Sequence, residues 1–176
     1  MNPMNKEIYF AGGCFWGTEH FFKQIEGVTD TDTGFANGDA RVENPTYEQV
    51  YTDQTGYAET VRVRYDETRV GLRFLVRMFF RAIDPTSLNR QGHDEGTRYR
   101  TGVYYTDEAE RALIQQVFDE EQARLDVPMV VELEPLRSYY PASEYHQDYL
   151  DKHADGYCHL PLLLFRFARE AKPELD

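Results

Sequence analysis

A chain of 176 residues and 20.6 kDa is the size of one ordinary domain, and 41% hydrophobic residues suffice to bury a core. Thirty-one acidic against 19 basic side chains give a net charge of -12, which sets Coulomb repulsion against nonspecific binding to nucleic acid or to an anionic membrane surface. The longest apolar run, Leu160 to Phe165, falls far short of the roughly 20 residues of a membrane helix, and two cysteines make no disulfide scaffold, so a single cytoplasmic, monomeric domain over 1–176 is expected.

The segment Glu7 to Ala11 reads as a short buried strand, broken by Gly12 and Gly13 immediately before Cys14. A helical pattern follows, with Phe15, Thr18, Phe21, Phe22 and Ile25 on one side and Gly27 as a stop. Val28 to Phe35 is a second strand candidate, and 37–57 a long polar loop of the kind that carries function more often than it merely connects. Val61, Val63 and Tyr65 alternate with Arg62 and Arg64, the period of a half-buried strand. Leu72, Leu75, Val76, Phe79 and Ile83 mark one face of a second core helix that stops near Pro85. After a Gly-rich loop and the short strand Thr101 to Tyr105, Thr106 is placed to cap a helix with Ala109, Ala112, Leu113 and Val117 inward. Met129 to Glu134 reads as a strand, and Ser143 opens a last helix carrying Tyr145, Tyr149 and Leu150. The succession predicts an α+β two-layer sandwich with a mixed sheet, a ferredoxin-like β-α-β-β-α-β core and an appended C-terminal helix and tail. The core is expected over 6–152 and the tail over 153–176.

Chemistry concentrates at Gly12 to Gly17, where two glycines allow close approach and a helix start offers free N–H groups to a thiolate. A free cysteine is usually one more small buried residue, but this placement predicts a lowered pKa and a nucleophile at Cys14. Phe15 and Trp16 flank it as a core pair or as walls of a pocket for a small apolar group. Glu59 stands just before the clearest strand, where partial burial raises a carboxyl pKa and suits it to proton donation. Tyr47 and Tyr99 offer neutral phenol donors, and Asp94 holds a loop or caps a turn. Cys158 lies beyond the last expected helix, in a segment whose glycine and proline permit movement toward an oxidised partner. No CxxC pair or structural zinc spacing occurs. Of the five histidines none is singled out as a base, and His146 is read as a hydrogen-bonded core or surface residue.

The motif GGCFWGTEHFF resembles the active-site signature of the A-type peptide methionine sulfoxide reductases, and the similarity continues through NPTYEQV, GYAETVRVRYD, FFRAIDPTSLNRQGHDEGTRYRTGVYY, EYHQDYL and GYC. It spans roughly Ile8 to Cys158. The resemblance implies reduction of methionine S-sulfoxide, free or in proteins, with Cys14 as nucleophile and Phe15 and Trp16 enclosing the substrate methyl. It also implies Glu59, Tyr47 and Tyr99 around the sulfoxide oxygen, supported by Asp94, with Cys158 closing a disulfide on Cys14 that thioredoxin reopens. No metal, flavin or nicotinamide is implied. The sequence departs from the family pattern at GFANG, at GYAE and at Ile83, and LPLLLFRF holds no further cysteine after Cys158. A Cys–His acyl hydrolase and a non-catalytic module that binds oxidised methionine are the alternatives.

Overall fold

The computed structural model describes residues 5–176, and residues 1–4 of the expected domain lie outside it. Strand β1 (Asn5–Gly12) is apolar on both faces. Ile8 and Phe10 enter the main core, where Phe10 stacks on Phe22 and Phe79, while Tyr9 and Ala11 join a smaller cluster with Ala36, Ala58 and Tyr104. Both faces must therefore be covered, which places β1 inside the sheet. The chain continues as α1 (Phe15–Lys23), β2 (Val28–Ala36), α2 (Tyr47–Tyr51), β3 (Ala58–Asp66) and α3 (Leu72–Arg81). A small hairpin of β4 (Arg90–Gln91) and β5 (Asp94–Glu95) precedes β6 (Thr101–Tyr105), α4 (Arg111–Gln122), β7 (Glu132–Pro135), β8 (Tyr139–Pro141), α5 (Tyr149–Lys152) and α6 (Leu162–Glu170).

The six-stranded sheet runs β7-β6-β1-β3-β2-β8 and is antiparallel except at β6–β7. This is the expected α+β arrangement with a mixed sheet. The four inner strands and the helices α1 and α3 follow one another as β1-α1-β2-β3-α3-β6, with α2 inside the β2–β3 connection. That connection was expected as an open loop; instead Thr46 and Gln49 form a capping box that starts α2 and orients Tyr47.

Three local expectations need correction. Helix α4 is entered through a 3-10 turn capped by Asp107 rather than Thr106, and it buries Ile114, Val117 and Phe118, a face rotated from the expected Ala109, Ala112, Leu113 and Val117. The helix expected from Ser143 breaks into a 3-10 turn, Glu144–His146, and the short α5, because Asp148 takes a left-handed φ of 53°. Its freed N–H donates to the buried Glu19 of α1 at 2.9 Å. The tail carries its own helix, α6, whose Phe165 and Ala168 are buried and whose Phe165 meets the ring of His20. Cys158 therefore lies between two helices, on a segment pinned at both ends, rather than on a free end.

Candidate active site

Sheet register sets the site. Phe10 of β1 pairs with Val61 of β3, so the next same-face residue of β3, Glu59, lies where β1 ends in Gly12, and Phe35 of β2 pairs directly with it. The chain leaves β1 through Gly12 and Gly13, the latter at φ +87°, and Cys14 becomes the N-cap of α1. Thr18 Oγ1 sits 3.1 Å from both the Gly12 and the Cys14 carbonyl oxygens and closes this turn. The Phe15 N–H, one of the unpaired donors of the helix start, donates to Glu59 Oε1 at 3.0 Å, which ties the turn to β3. The other carboxyl oxygen, Oε2, is buried without a partner.

Burial dominates the electrostatics. Glu59 is 1% exposed, and desolvation raises its pKa from 4.5 to about 8, against the Phe15 N–H and Arg98, which favour the anion. Its proton is therefore on at neutral pH. The Cys14 thiol is also raised well above its ordinary value, first by burial and then by the Glu59 charge. The N–H groups of Trp16 and Gly17 do pull it down, as the helix start predicts, but they do not prevail. The expected low-pKa thiolate is thus reversed. Tyr99, buried by the 3-10 turn that precedes β6, is pushed up to about 12 by burial and by Glu59, and Tyr47 is raised further by the same causes. Both phenols remain neutral donors.

Phe15 is buried and tilts against Phe35 and His146, while the half-buried Trp16 stacks on Tyr149 at 3.7 Å between ring centroids. Trp16 Nε1 donates to His146 Nδ1 at 3.1 Å, and the His146 ring stacks on Tyr47 at 4.5 Å. His146 is a hydrogen-bonded buried residue as expected, and one that joins the walls of the site. Beside these rings opens a cavity of about 740 Å³ lined by Trp16, Tyr47, Glu48, Tyr145 and His146 among others. Asp94 accepts from the Tyr157 hydroxyl at 2.8 Å through Oδ1, keeps Oδ2 buried and unpartnered, and acts electrostatically on both Cys14 and Cys158.

Both cysteines are free thiols. Cys158 packs on the first turn of α1: a Cβ on Gly17 would stand 3.0 Å from its Sγ. The eight candidates from the sequence thus converge on one end of β1. Two neighbours were not anticipated. Arg98, paired with Asp53 at 2.5 Å and lying over the rings of Tyr51 and Tyr99, acts through its charge on Glu59 and favours its anion. His159 reaches the Gly12 carbonyl with Nε2 at 3.1 Å. The adjacency of His159 to Cys158 was the one sequence signal for it, whereas nothing local marked Arg98.

A family model described as peptide methionine sulfoxide reductase matches residues 6–173. The chain is 52% identical over 161 residues to the peptide methionine sulfoxide reductase MsrA of Clostridium acetobutylicum, covering 92% of this chain and 98% of that one. It superposes on Mxr1 from Saccharomyces cerevisiae in reduced form with a TM-score of 0.87 at 35% identity, over 92% and 94% of the two chains. Mxr1 in complex with Trx2 matches with a TM-score of 0.60 at 25% identity, over 85% and 87%. With a glycine-bracketed thiol, a protonated carboxyl and two phenols at one strand end, the chain belongs to the peptide methionine sulfoxide reductase family.

Proposed function

We propose that this reductase acts on the S epimer of methionine sulfoxide, free or within proteins, and that Cys14, Glu59, Tyr47 and Tyr99 carry the reduction. The observation that bears most weight is Glu59, a buried carboxyl that holds its proton up to about 8, is tethered to the N–H of Phe15, the residue after Cys14, and acts electrostatically on the Cys14 thiol. The substrate methyl packs between Phe15 and Trp16, and the sulfoxide oxygen takes hydrogen bonds from Glu59 and the two phenols, with Asp94 supporting the pocket. As Cys14 attacks the sulfoxide sulfur, the Glu59 proton moves to the oxygen and the thiol proton replaces it on Glu59. The sulfur–oxygen bond of the substrate breaks, the oxygen passes to Cys14, and methionine leaves. Cys14 is oxidised by two electrons to the sulfenic acid, and the sulfoxide is reduced by two.

Cys158 then attacks the Cys14 sulfenic acid, forming a disulfide and releasing water, and a thioredoxin dithiol takes over that disulfide. The Mxr1 complex with Trx2 supports this partner, and Cys158 against Gly17, one turn along α1 from Cys14, supports the pairing. The cavity beside Trp16, at about 740 Å³, has room for residues that flank an oxidised methionine and so supports protein-bound substrates. The reading is completed by a single catalytic domain working as a monomer in the cytoplasm, where thioredoxin is kept reduced.

Single-turnover reaction of the prereduced protein with each sulfoxide epimer tests this, with disulfides located by mass spectrometry. One equivalent of methionine from the S epimer alone, a Cys14–Cys158 bond in the wild type, no methionine from Cys14→Ser and a trapped Cys14 sulfenic acid in Cys158→Ser are expected. Methionine formation by Cys14→Ser overturns the assignment of the nucleophile.

A further inference from the structure

The glycines of the motif around Cys14 do more than start a helix. A Cβ on Gly13 would stand 3.2 Å from His159 Nε2, and one on Gly17 would stand 3.0 Å from both Cys158 Sγ and His159 Nδ1. The dipeptide Cys158-His159 is therefore laid across the turn that presents Cys14, in space that only glycines leave open. The carbonyl of Gly12 can only accept, so the 3.1 Å contact makes His159 Nε2 the donor and leaves Nδ1 with its lone pair. That Nδ1 is buried without a hydrogen-bond partner, at a cost in free energy, in the same small space as the Cys158 sulfur.

We propose that His159 is the proton acceptor that activates Cys158 for attack on the oxidised Cys14, held for that task by its hydrogen bond to the Gly12 carbonyl. The inference rests on Cys158 being the resolving thiol. In this step the Cys158 proton moves to His159 Nδ1, the new sulfur–sulfur bond forms, and the sulfur–oxygen bond of the Cys14 sulfenic acid breaks. The departing hydroxide takes up the proton held by His159 and leaves as water, so no other reactant is needed. The need for a base is physical: burial raises the Cys158 thiol above its ordinary value, and the Leu160 N–H on its sulfur at 3.4 Å only partly opposes this. Burial also lowers the pKa of His159, so its ring is neutral and able to accept at neutral pH. The titratable groups facing it are Cys158 on its own segment and Asp94 on the β4–β5 hairpin, whose Gly92 lies against the His159 Cβ.

The test separates the two chemical steps by rapid quench after mixing prereduced enzyme with one equivalent of S-sulfoxide, counting methionine and free thiols over time from pH 6 to 9. His159→Gln keeps a donor for the Gly12 carbonyl and lacks the base, whereas His159→Ala loses both. The methionine burst, which precedes resolution, reports that each variant is folded. Disulfide formation is expected to slow about 10²-fold at pH 7 in both variants, to recover as pH rises toward the ionisation of the thiol itself, and to be rescued by added imidazole in His159→Ala. Resolution at the wild-type rate in His159→Gln overturns the proposal, as does a slowed rate that neither pH nor imidazole restores. If the wild type itself forms no Cys14–Cys158 bond, the resolving role of Cys158 falls first, and the proposal with it.

Discussion

At Glu59 and Cys14 the same burial acts on two acids with opposite consequences for chemistry. It keeps the carboxyl protonated, which is what a donor to the sulfoxide oxygen needs, and it keeps the thiol protonated, which a nucleophile must overcome. The Glu59 charge is the second cause of the raised thiol, so a protonated Glu59 also eases ionisation of Cys14. Because the Glu59 proton leaves as pH rises through about 8, the wild-type rate of methionine release is expected to fall above that pH. Glu59→Gln keeps the acceptor for the Phe15 N–H but has no proton to give. Its single-turnover rate at pH 7 is expected to drop about 10²-fold, its alkaline fall to vanish, and alkylation of Cys14 to shift to lower pH. Persistence of the alkaline fall in this variant contradicts the assignment. The linkage to stability has the matching sign: a carboxyl whose pKa is higher folded than unfolded stabilises fully below 4.5 and loses that contribution as pH rises through about 8. Glu59 was partly legible beforehand. Extending the alternation of Val61, Val63 and Tyr65 back by one step places it on the buried face, but the magnitude of its desolvation depends on what packs over that face.

Among the elements, α1 shows how a helix can be shaped for something other than its own stability. An interior glycine costs about 1 kcal/mol against alanine, so Gly17→Ala should favour the helix if propensity alone decided. Here the added methyl would enter the space of Cys158 Sγ and His159 Nδ1, each 3.0 Å from the Cβ position. Gly17→Ala is therefore expected to displace the Cys158-His159 segment and to slow disulfide formation at least tenfold, measured by thiol loss after the methionine burst. Wild-type resolution in this variant sinks the packing argument. The existence and type of elements were legible where pattern was strong and local, as in β1, β3 and α3, although α3 ends at Arg81 and leaves Ile83 outside it. They failed where the decision was made elsewhere. The 143–152 region has helical spacing, yet Glu19 draws the Asp148 N–H away from helix geometry, and Glu19 lies 129 residues earlier. Helix α6 carried a readable signal in Leu164, Phe165, Ala168 and Ala171, spaced by one, three and three, which the continuous apolar run Leu160 to Phe165 obscured.

Over the whole molecule, the far end of the chain completes the core. Helix α3 begins at Gly71, which has no capping side chain, and Asp176 supplies one: its carboxylate accepts from the N–H groups of Leu72 at 3.1 Å and Arg73 at 2.9 Å. Glu174 adds its carbonyl to the Gly71 N–H at 2.8 Å. Asp176→Ala is expected to lower the unfolding free energy by about 1 kcal/mol in urea titration with the first-turnover rate unchanged, and an unaltered midpoint would contradict the cap. The α+β class, a cysteine at a strand-to-helix turn and the family could be read from the sequence alone, because periodicity, turn chemistry and motif spacing are properties of near neighbours. It took the tertiary structure to decide that Cys14 rests as a thiol, that Glu59 keeps its proton, and that His159 grips the Gly12 carbonyl, 147 positions away in sequence. Those outcomes are set by exclusion of water and by distances across the sheet, and neither quantity exists until the strands have paired.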